Sequence, residues 1–444
     1  MLFKTLEKLV LFAIAISIPL NLDFSVIISP YARNAANIFH GYRTIVALTE
    51  LRVSLILIVV VVGYILWLVD RQGASRRPFR FFAGTSRPAL GLIFISIISV
   101  FQAQDIQLSL FRIVQLVELF LVYLYLANHI RTKQEMQYFV TVLMWGMLAE
   151  SILMVVQRLT GWGFSIPGID ASIYTKLSRA EGTLGSPGTA GGILAAYLAI
   201  VSAMVWLFPK RSQKVFALVC FVVGCIALIT TAGRAPWGSF VVAILGFILV
   251  AWRQAWIQRR TLILLFTMIL VIGYIFSPMI YNRLTQDDRG SAESRLRMFR
   301  LAWNVIQASP SHLFLGVGAN NYALVAPGYN TSDVGFLGYV IDSSVHNAYL
   351  LAWAETGLFG LFFFIVFLAV PLLKSWKHIR SGNRFISIIA LGLGCALVAM
   401  CIQMLVDPFV ARPLTIFVWL LVSLITSLDN MRSIRISSPD TRQV

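Results

Sequence analysis

Long apolar stretches recur along the whole chain and are separated by short polar segments. A helix needs about 20 apolar residues to cross a bilayer, and stretches of roughly that length are repeated from one end of the sequence to the other. The pattern predicts an all-α integral membrane protein with about twelve transmembrane helices. The predicted spans are residues 9–29, 49–70, 88–103, 108–130, 136–161, 189–208, 214–232, 235–252, 260–280, 348–373, 384–405 and 412–429.

One polar interval is much longer than the others and lies between the ninth and tenth spans. Within it, apolar residues at helical spacing predict an amphipathic helix on the membrane surface: Leu296, Phe299, Trp303 and Ile306. The predicted organisation is nine spans with short loops over residues 1–281, a large extracytoplasmic loop over 282–345, three spans over 346–430, and a cytoplasmic tail over 431–444.

Composition and charge indicate whether the protein binds nucleic acid or membrane lipids. The chain is 58% hydrophobic and only 12% charged, which excludes an ordinary soluble domain. Its net charge of +17 would suggest nucleic acid in a soluble protein. With a cytoplasmic N-terminus, however, the basic runs fall in the cytoplasmic connections, as the positive-inside rule requires. We therefore expect membrane lipids as partners and no nucleic acid. The basic runs are residues 76–80, 210–214, 253–260 and 374–380.

A histidine stands where the large loop enters the tenth span. The partial positive charge of a helix N-terminus should lower the pKa of His346, and a neutral imidazole there could act as a general base. The alternative is that His346 belongs to a capping group, because Ser343, Ser344 and Asn347 all favour helix N-termini. The pattern alone leaves both interpretations open.

Arg234 lies in a short turn between the seventh and eighth spans. Gly233 could end the first helix and Pro236 could occupy the first turn of the next. An arginine beside a helix N-terminus is suited to a pyrophosphate group, because its planar guanidinium and the free N–H groups both favour anions. The alternative is an arginine that anchors to lipid headgroups.

Other arginines share this predicted outer face. Arg179 precedes a glycine-rich segment that leads into the sixth span. Arg295 and Arg300 lie on the predicted loop helix, where they could approach a lipid-linked phosphate. No cysteine has metal-ligand spacing with a histidine. The pair Asp287-Asp288 could ligate a metal, but adjacent acids in a loop are more often solvated and no second ligand cluster is present. No metal and no cofactor are therefore expected.

Two glutamates fall inside predicted spans. Ionisable groups at such depth are costly and usually face the interior of a helix bundle. Glu118 and Glu150 could therefore line a polar cavity or form hydrogen bonds between helices, and we favour the second interpretation.

An ordered set of short motifs resembles the O-antigen ligase and polymerase superfamily. The matching pieces extend from the loop helix to the tenth span, and the topology with one large outer loop before that span extends the resemblance to the whole chain. They are Arg295, Phe299, Ala302, Pro310, Gly316-Val-Gly318, His346-Asn347 and Ala354-Glu355-Thr356-Gly357.

The resemblance implies a metal-independent glycosyltransferase of the bacterial cytoplasmic membrane, with both termini in the cytoplasm and its active site on the periplasmic face. Such enzymes move a preassembled glycan from undecaprenyl diphosphate to a lipid A-core sugar (ligases) or to another carrier-linked glycan (polymerases). A single displacement would make the transfer inverting. By the resemblance, His346 is catalytic, Arg234, Arg295 and Arg179 hold the diphosphate, and the supporting residues are Asn347, Arg300 and Glu355.

Two other classes of function compete with this one. A transporter of a lipid-linked oligosaccharide or a small anion would commonly show repeated halves with interrupted helices, and the sequence shows no such symmetry. A purely structural membrane protein would not need a histidine beside a set of arginines. The sequence does not separate a ligase from a polymerase.

Overall fold

A computed structural model describes residues 2–21, 23–28, 50–70, 79–82, 84–166, 169–171, 179–256, 259–285, 291–331 and 345–436. It is a helical bundle with two short antiparallel hairpins. The helices are α1 (Leu2–Leu20), α2 (Leu55–Asp70), α3 (Ser86–Ser99), α4 (Ile106–His129), α5 (Lys133–Thr160), α6 (Pro187–Leu207), α7 (Arg211–Thr230), α8 (Arg234–Arg253), α9 (Arg259–Ile275), α10 (Ser277–Thr285), α11 (Ser291–Gln307), α12 (Pro310–Leu315), α13 (Tyr322–Val325), α14 (Ala348–Ile379), α15 (Arg384–Gln403) and α16 (Arg412–Ile436). The strands are β1 (Asp23–Ile28) paired with β2 (Glu50–Ser54), and β3 (Phe164–Ile166) paired with β4 (Ile169–Ala171).

The protein is an all-α membrane protein, but the number of twelve spans is not confirmed. A helix overlaps each predicted span, and eight of the described helices are long and apolar enough to cross a membrane: α4 to α8 and α14 to α16. The predicted second span begins instead with β2, which leaves 16 residues for α2. Sixteen helical residues rise about 24 Å, less than the roughly 30 Å of a hydrocarbon core. In the same way, the predicted first span is divided between α1 and β1.

Helix α6 lies at the centre of the bundle and packs against α7, α8 and α15. Small residues allow α6 to pack at the centre of the bundle, because they let helix backbones approach closely. Gly392 of α15 illustrates the packing, since a Cβ atom there would lie 2.6 Å from Cβ of Ala203 in α6. The central position of α6 brings its amino-terminal end to the middle of one end of the bundle.

Helix α14 is interrupted, although the sequence predicts a continuous tenth span. Gly357 has a left-handed backbone with φ of +68°, and the kink allows the N–H of Val317 to donate to the carbonyl of Ala354 at 2.9 Å. Gly316 also has a positive φ of +76°, and a Cβ atom there would lie 2.3 Å from the carbonyl carbon of Glu355. Two of the motifs that carry the family resemblance therefore contact each other through their backbones.

Helix α11 packs through a different face from the predicted one. Its buried residues are Met298, Leu301, Ala302, Val305 and Ile306, whereas Leu296 and Trp303 are 58% and 47% exposed. Of the four residues predicted to form the apolar stripe, Ile306 is buried. Apolar residues occupy two adjacent faces of this helix, and its packing against α14 selects one of them.

The two glutamates within spans have specific partners. Glu118 forms an ion pair with Arg412 of α16 and accepts a hydrogen bond from the hydroxyl of Ser54, so it joins separate elements as predicted. Glu150 accepts from the backbone N–H of Thr183 and, at 3.1 Å, from the Thr183 hydroxyl. The partner of Glu150 is therefore the loop before α6 rather than a neighbouring helix.

The carboxyl-terminal helix is longer than the sequence predicts. Helix α16 continues to Ile436, beyond the predicted end of the last span at residue 429. The predicted tail over residues 431–444 thus begins within a helix, and residues 437–444 lie outside the described part of the chain.

Candidate functional site

The turn between α7 and α8 places Arg234 at a helix N-terminus. The left-handed residue of this turn is Ala232, with φ of +48°, whereas Gly233 is the extended N-cap residue of α8. The prediction that Gly233 ends the preceding helix is therefore wrong, because the reversal occurs one residue earlier. Arg234 is the first residue of α8, and Pro236 lies in the first turn as predicted. The Arg234 side chain thus starts from the first turn of α8, where the partial positive charge of the helix end favours anions.

Arg179 is held against the same turn by its own side chain. Its Nε donates to the carbonyl of Thr231 at 2.8 Å, and the N–H of Ala180 donates to the carbonyl of Thr230 at 3.2 Å. The segment that follows is fixed as well, because the N–H of Gly182 donates to Oε1 of Gln157 at 2.8 Å. The structure therefore brings Arg179 and Arg234 together, although they belong to different outer loops.

Asn347, rather than His346, caps α14. Its Oδ1 accepts from the N–H of Leu350 at 2.9 Å, and its Nδ2 donates to the carbonyl of Leu405 at 3.0 Å. The N–H of Ala348 donates to the carbonyl of Met404 at 2.9 Å. These contacts fix Asn347 and Ala348 against the end of α15. The side chain that caps α14 is that of Asn347.

His346 interacts electrostatically with Arg295 of α11. Burial lowers the pKa of His346, and the positive charge of Arg295 lowers it further. The direction agrees with the sequence prediction, which expected a lowered pKa from the helix N-terminus. A lowered pKa favours the neutral imidazole, which is the form that can accept a proton.

Asp407 adds a carboxylate to this group and was not identified from the sequence. Its Oδ1 accepts from the N–H of Phe409 at 2.9 Å, and its carboxylate also interacts with Arg295 and with the side chain of Gln403. Burial raises the pKa of Asp407, while these three contacts oppose the rise. An isolated acidic residue in the outer turn between two apolar spans was the available signal.

The amino-terminal end of α6 lies between the two groups. A Cβ atom on Gly188 would lie 3.7 Å from Oδ2 of Asp407. One turn further, a Cβ atom on Gly191 would lie 2.7 Å from Cγ of Pro236 and 3.1 Å from Oγ1 of Thr231. Glycine is required at position 191, because real Cβ atoms do not approach another atom so closely. We call the residues around this helix end the α6 site: Arg179, Arg234, Arg295, His346 and Asp407.

Two predicted supporting residues lie elsewhere. The carboxylate of Glu355 accepts from the backbone N–H groups of Asn320 and Tyr322 and interacts with Arg112 of α4. Glu355 therefore positions the loop that docks on α14 and does not contact the α6 site through these bonds. Arg300 is exposed on α11.

The α6 site is chemically suited to an anionic ligand. Three of its five residues are arginines, and guanidinium groups bind phosphate oxygens through paired N–H donors. Within the residues that the structure describes, no group of three or more His, Cys, Asp or Glu side chains could hold a metal ion.

Residues 219–365 match the model of a known family, described as O-Antigen ligase. The matched segment includes Arg234, Arg295 and His346, whereas Arg179 and Asp407 lie outside it. No curated protein matches the chain. The match covers about a third of this integral membrane protein and supports its resemblance to the O-antigen ligase and polymerase superfamily.

Proposed function

We propose that the protein is a metal-independent, inverting glycosyltransferase that moves a preassembled glycan from undecaprenyl diphosphate to an acceptor hydroxyl. The observation that supports this proposal is the grouping of three arginines, one histidine and one aspartate at the amino-terminal end of α6. The matched O-antigen ligase domain implies a lipid-linked glycan donor and a glycan acceptor. The positive-inside pattern supports placing the α6 site on the periplasmic face of the cytoplasmic membrane.

The arginines would bind the diphosphate of the donor. Negative charge develops on the diphosphate oxygen as the glycosidic bond breaks, and fixed cations in a partly buried site stabilise that charge. Arg179 and Arg234 would act from the α7–α8 turn, and Arg295 from α11. The partial positive charge at the start of α8 would add to this stabilisation.

His346 would activate the acceptor. Its neutral imidazole takes the proton of the acceptor hydroxyl as that oxygen forms a bond to the anomeric carbon. The bond from this carbon to the diphosphate oxygen breaks, and its electron pair leaves with the diphosphate. One displacement of this kind inverts the anomeric centre. Asn347 would keep the histidine at the correct place by capping α14.

Asp407 would position Arg295 rather than react. Its carboxylate is held by the N–H of Phe409 and by Gln403, so it offers Arg295 a fixed partner beside α6. In this arrangement, Arg295 can face both the diphosphate and His346.

We place the ligase reaction first, with a lipid A-core acceptor in lipopolysaccharide biosynthesis, because the matched family is described as an O-antigen ligase. A polymerase would use the same donor and a carrier-linked glycan as acceptor. The two reactions differ in their products: a ligase makes a single transfer, whereas a polymerase makes a ladder of lengthening glycans.

The test uses purified protein in nanodiscs with a lipid-diphosphate glycan, separate acceptors, and a chelator in every reaction. Product length and anomeric configuration are measured together. A single inverted transfer to lipid A-core would support the ligase, and a ladder would support the polymerase. Retained configuration would contradict the single displacement. Absence of transfer to every acceptor would contradict an enzyme and favour a transporter of the lipid-linked glycan.

A further inference from the structure

A cavity of about 370 Å³ lies at the end of the bundle opposite the α6 site. Its position follows from α16, which begins at Arg412 near the outer turn and reaches Thr426 about 21 Å further along its axis. The basic connections predict that this end faces the cytoplasm. The residues that line the cavity are Arg80, Phe82, Gly84, Thr426, Asp429 and Asn430.

Arg80 is held at this cavity by two buried asparagines. The side chain of Asn128 accepts from the N–H of Arg80 at 2.8 Å and donates to its carbonyl at 3.2 Å. Nη1 of Arg80 donates to Oδ1 of Asn430 at 3.3 Å, and Asn430 in turn donates to the carbonyl of Ala127. Buried amides are costly unless they are hydrogen-bonded. Here their hydrogen bonds fix an exposed arginine in one place.

The carboxylate of the cavity already has two partners. Asp429 forms an ion pair with Lys374 of α14 and a 2.9 Å contact with Nε2 of His378. The guanidinium of Arg80, by contrast, donates to the neutral amide of Asn430. The cavity wall therefore combines a paired carboxylate with a positioned arginine, which favours an anionic ligand.

Exposed aromatic rings stand beside the arginine. Phe82 is 66% exposed, and its ring lies edge-on to that of Phe81 at 5.1 Å between centroids. Gly84 holds this segment close to α16, since a Cβ atom there would lie 2.3 Å from Cγ2 of Thr426. An exposed apolar ring beside a basic side chain is suited to the boundary between lipid headgroups and acyl chains.

We propose that this cavity binds a phosphate group, and that its source is the headgroup of an anionic phospholipid. The guanidinium of Arg80 would contact the phosphate oxygens, and Phe82 would contact the apolar part of the lipid. The volume falls within the range of about 300–1,000 Å³ that small-molecule sites occupy. Basic pockets between helices on the cytoplasmic side are suited to acidic headgroups. The site is separate from the α6 site and does not depend on the proposed reaction.

The experiment measures lipid retention by native mass spectrometry of the full-length protein, with phosphatidylglycerol and phosphatidylcholine in equal amounts. We expect preferential retention of phosphatidylglycerol, and Arg80→Gln should weaken it about tenfold, as expected for the loss of a charged hydrogen bond. The matched control is Arg87→Gln, an exposed arginine in the first turn of α3 that does not line the cavity. Equal loss in both variants, or none in Arg80→Gln, would overturn the proposal.

Two further variants keep the result interpretable. Arg80→Lys retains the charge, so a folded Arg80→Lys protein with intermediate retention would support the proposal even if Arg80→Gln is unstable. Phe82→Ala distinguishes the sources. Weaker phosphatidylglycerol retention supports the lipid. Unchanged retention, together with thermal stabilisation of the wild type by inorganic phosphate that Arg80→Gln loses, assigns the site to free phosphate. Unchanged retention without that stabilisation would contradict the proposed contact of Phe82 with the lipid.

Discussion

The two ends of the bundle hold their charged groups in different ways. At the α6 site, hydrogen bonds to main-chain carbonyls hold the segments in place. The segments of Arg179 and His346 are bonded to neighbouring turns through the carbonyls of Thr231 and Met404. At the opposite end, an ion pair between side chains joins two helices, because Asp429 of α16 pairs with Lys374 of α14. Main-chain carbonyls hold a segment against a neighbouring turn, whereas paired side chains hold helices together. The contrast predicts that charge substitutions affect transfer at one end and stability at the other.

The largest expected effect is that of His346→Ala. Removal of a general base typically lowers a rate by about 10²- to 10⁴-fold, and the glycan-transfer rate in nanodiscs measures the loss. His312→Ala is the matched control, because His312 contacts the carbonyl of Val305 within the large loop and is outside the α6 site. Full activity of His346→Ala would contradict its assignment as the base.

Arg295→Gln should lower the transfer rate by about 10²-fold, the effect expected for losing one donor to a developing negative charge. It should also change the pH dependence. In the wild type, the lowered pKa of His346 keeps the imidazole neutral to below its ordinary value of about 6.5, so activity falls only at lower pH. Without the charge of Arg295, the pKa rises and the acidic limb moves to higher pH.

The rate–pH profiles of wild type and Arg295→Gln, from pH 5 to 8, test this shift. Arg297→Gln is the control, because Arg297 lies on the same helix but pairs with Glu293. An acidic limb that stays in place in Arg295→Gln would show that this arginine does not set the pKa of the catalytic base.

Arg234→Lys should have a smaller effect, a loss of about tenfold in transfer rate. Lysine keeps the positive charge at the start of α8 but lacks the planar pair of N–H donors that binds a diphosphate. Arg234→Gln should be more damaging than Arg234→Lys. Equal rates in both variants would indicate that the charge of Arg234 does not contribute to transfer.

The smallest effect on transfer is expected from the other end of the bundle. Asp429→Asn removes the carboxylate that joins α16 to α14, so thermal unfolding in detergent should show a loss of about 1–3 kcal/mol. The transfer rate per folded molecule should stay near that of the wild type. Lys377→Gln, an exposed change on α14, controls for altered surface charge. A loss of transfer without a loss of stability would break the comparison between the two ends.

The sequence predicted those parts of the candidate site in which the position of a side chain depends on its neighbours in the chain. Arg234 and His346 stand at the ends of long apolar stretches, and the structure places both beside helix N-termini. Asp407 could not be assigned in this way, because its relation to Arg295 depends on how α15, α16 and α11 pack. The buried face of α11 was mispredicted for a similar reason: two faces of that helix are apolar, and only the packing against α14 distinguishes them.

The sequence by itself determined that this is a helical membrane protein whose candidate chemistry lies at helix ends on one face, because apolar length and local charge are properties of short segments. The tertiary structure alone decided which segments meet. It shortened the second span by pairing β2 with β1, broke α14 at Gly357, and placed Arg179, Arg234, Arg295, His346 and Asp407 around α6. These features depend on contacts between residues far apart in the chain. At Gly316 and Gly357 the physical reason is steric, because a Cβ atom there would collide with the backbone of Glu355 or Phe314.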